Sequence, residues 1–154
     1  MGIVYRKEDK HSQDKKGNIA SFASGNGNAK PGIAYINNEP FEIKEGETII
    51  SFLRRNFGKD VVPTLCDAPN LEPFGSCRVC SVDVALAENG PAKAQASCHT
   101  PVMTGSYIYP DSQRIQKLRK NIIELVLTDH PLDCLTCEVN NNCELQTVAA
   151  RVGI

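Results

Sequence analysis

Much of what usually signals a function is missing from this sequence. Its 154 residues contain no Trp, three His and two Met, and aromatic residues make up 6%. Neither sign of charge is in excess: 17 Lys and Arg stand against 18 Asp and Glu, a formal net charge of −1. A strongly basic nucleic-acid binder is excluded on that ground, because no positive surplus exists to neutralise phosphates. No apolar run nears the roughly 18 residues that a membrane-spanning helix needs, so no direct membrane insertion is expected. The opening MGIVYRKEDKHSQDKK lacks the apolar stretch of a secretory signal. Arg6 stands where N-myristoylation at Gly2 wants Ser or Thr. There is no GxGxxG nucleotide fingerprint and no internal repeat. Hydrophobic residues at 41% and charged residues at 23% are ordinary globular values, which excludes a collagen-like, coiled-coil or wholly disordered chain. The expected compartment is the cytoplasm.

What the sequence does have is seven Cys. An odd number cannot close into an intramolecular disulfide framework. In a reducing compartment, clustered Cys read as metal-binding or redox-active residues.

The chain divides into three parts. Residues 1–30 are polar, with six Lys/Arg against three acids, and show no periodicity; they read as a flexible arm, or as a segment that orders against a partner. From residue 31 the pattern changes. Ile33-Ala34-Tyr35-Ile36, Asn37-Asn38 and Phe41-Glu42-Ile43 spell a hairpin with an Asn turn. Thr48 is a plausible N-cap for a helix with Ile49, Phe52, Leu53 and Phe57 on its buried stripe and Gly58 at its end. A short extended stretch, 61–65, leads into a Cys-bearing loop over 66–80. A second hairpin flanks Asn89-Gly90, and 106–109 reads as a closing strand. This order predicts an α+β architecture: a β-grasp, ferredoxin-like domain over 31–110. Such a core is small, so a bound metal cluster would matter to its stability. Beyond it, Asp111 or Ser112 caps a helix whose Ile115, Leu118, Ile122, Leu125 and Val126 recur on one face. Pro131 ends that helix, a second Cys loop follows, and a short helix begins near Glu144 with Leu145, Val148 and Val152 on one side. Residues 111–154 are therefore expected to form a small all-α domain.

Cys66-x10-Cys77-x2-Cys80-x17-Cys98 contains one close pair, where a zinc site usually draws on two. A loop carrying three thiols with a distant fourth is the plant-type ferredoxin order, although the first spacing there is four residues rather than ten. The reading is a [2Fe-2S] site needing two thiolates per iron. Gly75 suits close approach of the loop backbone to the sulfides. Arg78, between Cys77 and Cys80, either supplies an N–H and positive charge near the cluster or is a solvated side chain. The second set is His130-x3-Cys134-x2-Cys137-x5-Cys143. Three Cys and one His suit tetrahedral zinc, and equally a [4Fe-4S] cluster with one ligand per iron. Neutral imidazole in place of thiolate would raise that cluster's potential, as in Rieske centres. His99 has no liganding spacing and reads as a surface or neighbouring residue; His11 lies in the arm.

The two patterns, in this order, resemble the N-terminal iron–sulfur region of the large peripheral subunit of respiratory complex I. The same module occurs in iron-only hydrogenases, in NAD-reducing hydrogenases and in NAD-dependent formate dehydrogenases. The stretch His130-Pro131-Leu132-Asp133-Cys134-Leu135-Thr136-Cys137, with Cys143-Glu144-Leu145-Gln146 after it, is especially similar to the formate dehydrogenase branch. The resemblance covers about residues 31–154. It implies one [2Fe-2S] cluster on Cys66, Cys77, Cys80 and Cys98, and one [4Fe-4S] cluster on His130, Cys134, Cys137 and Cys143. It implies an electron-transfer subunit that relays single electrons between a flavin/NAD(H)-binding or ferredoxin-type subunit and a molybdenum/tungsten or hydrogenase catalytic subunit. Those relatives continue into further clusters and a catalytic domain, whereas this sequence ends eleven residues after Cys143 with no further Cys. The expectation is therefore no third cluster and no catalytic centre of its own. Two rival readings are a zinc-stapled interaction module and a thiol oxidoreductase using a C-x2-C pair. The latter lacks the βαβ setting such a site wants.

Overall fold

The computed structural model describes residues 32–67, 72–73 and 75–154. The arm over 1–30 lies outside the described residues.

Strands β1 (Ile33–Ile36) and β2 (Glu39–Glu42) form the first hairpin. Asn37 and Asn38 turn the chain with φ of 50° and 69°, the left-handed pair of a two-residue hairpin, which Asn tolerates better than most side chains. Helix α1 (Ile49–Phe57) starts at Thr48, whose side chain accepts from the Ser51 N–H, and ends at Gly58, whose N–H reaches the Arg54 carbonyl. Residues 61–65 form bends rather than a strand. Strands β3 (Ser81–Ala85) and β4 (Lys93–Ala96) make the second hairpin, and β5 (Tyr107–Tyr109) closes the sheet.

The sheet order is β2-β1-β5-β3-β4. β5 runs parallel to β1, and the other neighbours are antiparallel. A mixed sheet with a central parallel pair and one covering helix is the β-grasp arrangement, so the expected α+β class stands. Its core gathers Ile49, Phe52 and Leu53 from α1 against Ala34, Ile36, Val82 and Ile108 from the sheet.

Every residue of β3 is buried, because helix α2 (Gln113–Thr128) packs on the face opposite α1. Ser112 is the α2 N-cap; its Oγ accepts from Ile115 N–H at 3.2 Å and donates to Asp83 Oδ2 at 2.6 Å. Asp83 also pairs with Arg114. Helix α3 (Glu144–Val152) returns against α2 and ends at Gly153 in the left-handed conformation.

The face α2 buries differs from the expected stripe. Ile115, Arg119 and Ile123 are buried, Leu118 and Ile122 are half-buried, and Leu125 and Val126 are exposed at 71% and 36%. Arg119 takes the central place because both terminal nitrogens of its guanidinium find partners there. Nη2 donates to the Ser81 and Pro110 carbonyls at 2.7 Å each, and Nη1 lies 3.5 Å from Asp111 Oδ1. A hydrogen-bonded, paired charge is tolerated in a core where an unpaired one is not.

A second core joins the two halves of the chain. Val79, Ile123, Val148 and Ala149 form its buried centre, with Leu65 and Cys77 packed against it beside Leu127 and Leu145. Val79 lies between Cys77 and Cys80, so the first Cys loop is part of the helical core.

Candidate metal centres

The first set of thiols is gathered by four separate devices. Asp67, next to Cys66, is held by Arg54 of α1 at 2.6 Å. Cys77 follows Gly75, which has φ of 74°; a Cβ at Gly75 would lie 2.7 Å from the His99 ring. Cys80 ends a tight turn in which Arg78, at φ of 58°, offers its carbonyl to both the N–H (3.1 Å) and the Oγ (2.6 Å) of Ser81. Cys98 follows Ser97, whose Oγ donates to the Cys80 carbonyl at 2.7 Å. Cys80 and Cys98 are buried in the sheet core, while Cys66 and Cys77 are half-buried.

The thiols sense one another electrostatically. Burial pushes Cys66 up, but hydrogen bonds from Cys77 and Ser76 outweigh it, and its pKa lies below the ordinary thiol value. Burial raises Cys77, only partly offset by the Val79 backbone N–H. Cys98 is pushed up to about 12 by burial, by its hydrogen bond with Cys80, and by the charges of Cys80, Cys66 and Cys77. Thiolates that sense one another in this way repel unless a multivalent cationic core sits among them, and such a core would hold all four deprotonated. The backbone N–H groups around Cys66 and Cys77 also fit the sulfur-directed hydrogen bonds that tune such a core. The donor set therefore fits an iron–sulfur group.

The second set is brought together by a chain of short turns. N–H to carbonyl bonds run from Thr136 to Asp133, Cys137 to Cys134, Asn140 to Cys137 and Asn142 to Val139, at 3.0–3.3 Å. Asn140 Oδ1 then accepts from Asn141 N–H at 3.1 Å and Gln146 Nε2 at 3.0 Å, tying the loop to the first turn of α3. Cys143 is the α3 N-cap and makes no side-chain cap bond. His130, Cys134, Cys137 and Cys143 all line one cavity of about 310 Å³, whose other walls include Leu127, Leu145 and Ala149. One zinc ion would hold its ligands within about 2.3 Å of a point; here the four residues share the wall of one cavity. An apolar cavity with one imidazole and three thiols on its wall fits a multi-iron cluster.

Two neighbours went unread in the sequence. Ser97 and Arg119 both act through the Cys80–Ser81 backbone, and neither residue type carries a ligand signal. Of those singled out, His99 is exposed and packs over Gly75, and the Arg78 side chain is exposed. Among the described residues no helix is long and apolar enough to cross a membrane.

The chain matches two family models. Residues 33–113 match the 2Fe-2S iron-sulfur cluster binding domain, and residues 119–154 match the NADH-ubiquinone oxidoreductase-G iron-sulfur binding region. It is 38% identical over 126 residues to the NADP-reducing hydrogenase subunit HndD of Solidesulfovibrio fructosivorans, covering 77% of this chain and 20% of that protein. It is 41% identical over 92 residues to the mitochondrial NADH-ubiquinone oxidoreductase 78 kDa subunit of Candida albicans, covering 60% and 12%. It is 36% identical over 92 residues to the NADPH-Fe(3+) oxidoreductase subunit alpha of Geobacter sulfurreducens, covering 60% and 10%. The chain thus spans a fifth or less of these curated relatives. A chain in the crystal structure of an NAD+-reducing [NiFe]-hydrogenase in the H2-reduced state superposes with a TM-score of 0.67 at 26% identity, covering 80% of this chain and 49% of that one. Two of these relatives and the solved structure are hydrogenase or NADH-ubiquinone oxidoreductase chains and the third is an NADPH-Fe(3+) oxidoreductase subunit, so the expected formate dehydrogenase likeness is not shown. The chain belongs to the 2Fe-2S iron-sulfur cluster binding domain family and carries one [2Fe-2S] and one [4Fe-4S] cluster.

Proposed function

We propose that this chain relays single electrons inside a cytoplasmic multisubunit oxidoreductase, between a partner with flavin or NAD(H) chemistry and a partner with a catalytic metal centre. Residues 31–110 hold the [2Fe-2S] cluster on Cys66, Cys77, Cys80 and Cys98. Residues 111–154 hold the [4Fe-4S] cluster on His130, Cys134, Cys137 and Cys143. Each cluster, when bound, accepts and gives up one electron. The chain's own residues shape the environment: burial of Cys80 and Cys98 keeps water from half of the first site, and the apolar wall from Leu127 to Ala149 does the same for the second.

The observation that supports this reading most is the common cavity of His130, Cys134, Cys137 and Cys143, about 310 Å³ in volume. A zinc staple needs no such room. Reduction of the anaerobically purified protein with dithionite tests the proposal. Electron paramagnetic resonance should then show two distinct reduced species. A silent spectrum from a metal-replete protein would instead favour a zinc-stapled module.

A further inference from the structure

The surface around the second site has an unusual make-up. Among the described residues, exposed large hydrophobics concentrate between 125 and 139: Leu125, Val126, Leu132 (74%), Leu135 (93%) and Val139 (52%). Leu132 and Val139 also line the cavity that His130, Cys134, Cys137 and Cys143 share. The charged residues interspersed with them are of one sign. Glu124, Asp129, Asp133 and Glu138 are all exposed, and no Lys or Arg occurs between Lys120 and Arg151. Cys137 and His130 themselves are exposed within this region.

Exposed apolar residues gathered among charged ones mark a protein–protein interface rather than an ordinary solvated surface. The charges point to what covers it. The acids of this segment repel an acidic partner and draw a basic one, which sets the approach and the register of the encounter. The position points to why: the segment carries His130, Cys134 and Cys137, and electron transfer weakens steeply with distance, so a partner seated here brings its own centre close.

We propose that residues 124–139 form the docking face for a redox protein whose matching surface has an apolar centre and a Lys/Arg rim. This rests on the reading of His130, Cys134, Cys137 and Cys143 as a cluster site. The occupant is a separate protein and not the basic arm over 1–30.

The test uses the full-length, cluster-loaded protein in its oxidised state and ferric cytochrome c, a small haem protein with a lysine-rich face, as the probe. Binding is measured by calorimetry at low salt and at several higher salt concentrations. In the wild type, affinity should fall steadily with salt. The Glu124→Lys/Glu138→Lys pair should weaken binding about tenfold and flatten the salt dependence. Leu135→Asn should weaken it about fivefold with the salt dependence kept. A Glu39→Lys/Glu42→Lys pair on the edge strand β2 should leave binding unchanged. The docking face is overturned if the Glu124/Glu138 pair binds within about twofold of wild type, or if the β2 pair is the one that weakens binding. It is equally overturned if Lys15→Glu/Lys16→Glu in the arm tightens binding, because the arm would then be the occupant. The reduced spectrum of each variant separates the two readings: cluster signals present with binding unaffected sinks the docking face alone, and absent signals in the wild type sink the cluster reading beneath it.

Discussion

Val79 is where the two cluster sites meet mechanically. It is fully buried, lies between Cys77 and Cys80, and packs into the core formed by Ile123, Val148 and Ala149. Val79→Ala removes two buried methyl groups at about 0.8 kcal/mol each, roughly 1.6 kcal/mol of transfer energy. The space left behind adds about 1 kcal/mol, for a total of about 2–3 kcal/mol. That is a large share of the roughly 5–15 kcal/mol that holds a small protein folded. Cluster loss is irreversible, so the readout is the rate at which each cluster signal disappears at a fixed denaturant concentration. A loss of 2 kcal/mol corresponds to as much as about thirtyfold faster decay. The [2Fe-2S] and [4Fe-4S] signals should both decay faster, and together, although Val79 is near only the first set of Cys in sequence. A [4Fe-4S] signal that decays at the wild-type rate would refute the shared core as a mechanical link.

Two further predictions concern single side chains. His130→Cys keeps four donors on the cavity wall but replaces a neutral ligand with a thiolate, so the [4Fe-4S] potential should fall in a redox titration; an unchanged or higher potential would contradict the charge argument. Glu47, with its side chain only 7% exposed, accepts from Arg55 Nε and Nη2 at 2.8 Å each and from the Lys44 N–H at 3.1 Å. The Arg55 hydrogen bond, working against burial, holds its carboxyl below the ordinary value of 4.5. Its stabilisation is therefore present above that value and is lost as pH falls through the lowered one. Glu47→Gln should cost about 1 kcal/mol at neutral pH, and thermal melts should show the gap to wild type closing in acid; a gap that persists or widens in acid would be wrong for this pair.

Most of the fold was legible in the sequence because those signals are local. Hairpin turns at Asn37-Asn38 and Asn89-Gly90, the Thr48 cap and the Cys spacings are each readable within a few residues. What it did not carry is long-range. Arg119 looks polar to any periodicity argument, yet its guanidinium is absorbed by carbonyls of Ser81 and Pro110, thirty-eight and nine residues away. That places Ile123 rather than Leu125 and Val126 in the core. The part played by Val79 is hidden for a similar reason: a Val inside a Cys loop gives no hint that its contacts lie on α2 and α3. The leftover apolar residues, Leu125 among them, became legible as a surface only once the buried face of α2 was known.

The central claim is that the eight donors hold two iron–sulfur clusters, and metal content tests it most directly. Protein purified from its native source without oxygen should contain about six iron atoms per chain, with a matching amount of acid-labile sulfide and no zinc. One or two zinc atoms per chain in place of iron would contradict the account, and about two iron atoms would leave His130, Cys134, Cys137 and Cys143 without the cluster assigned to them.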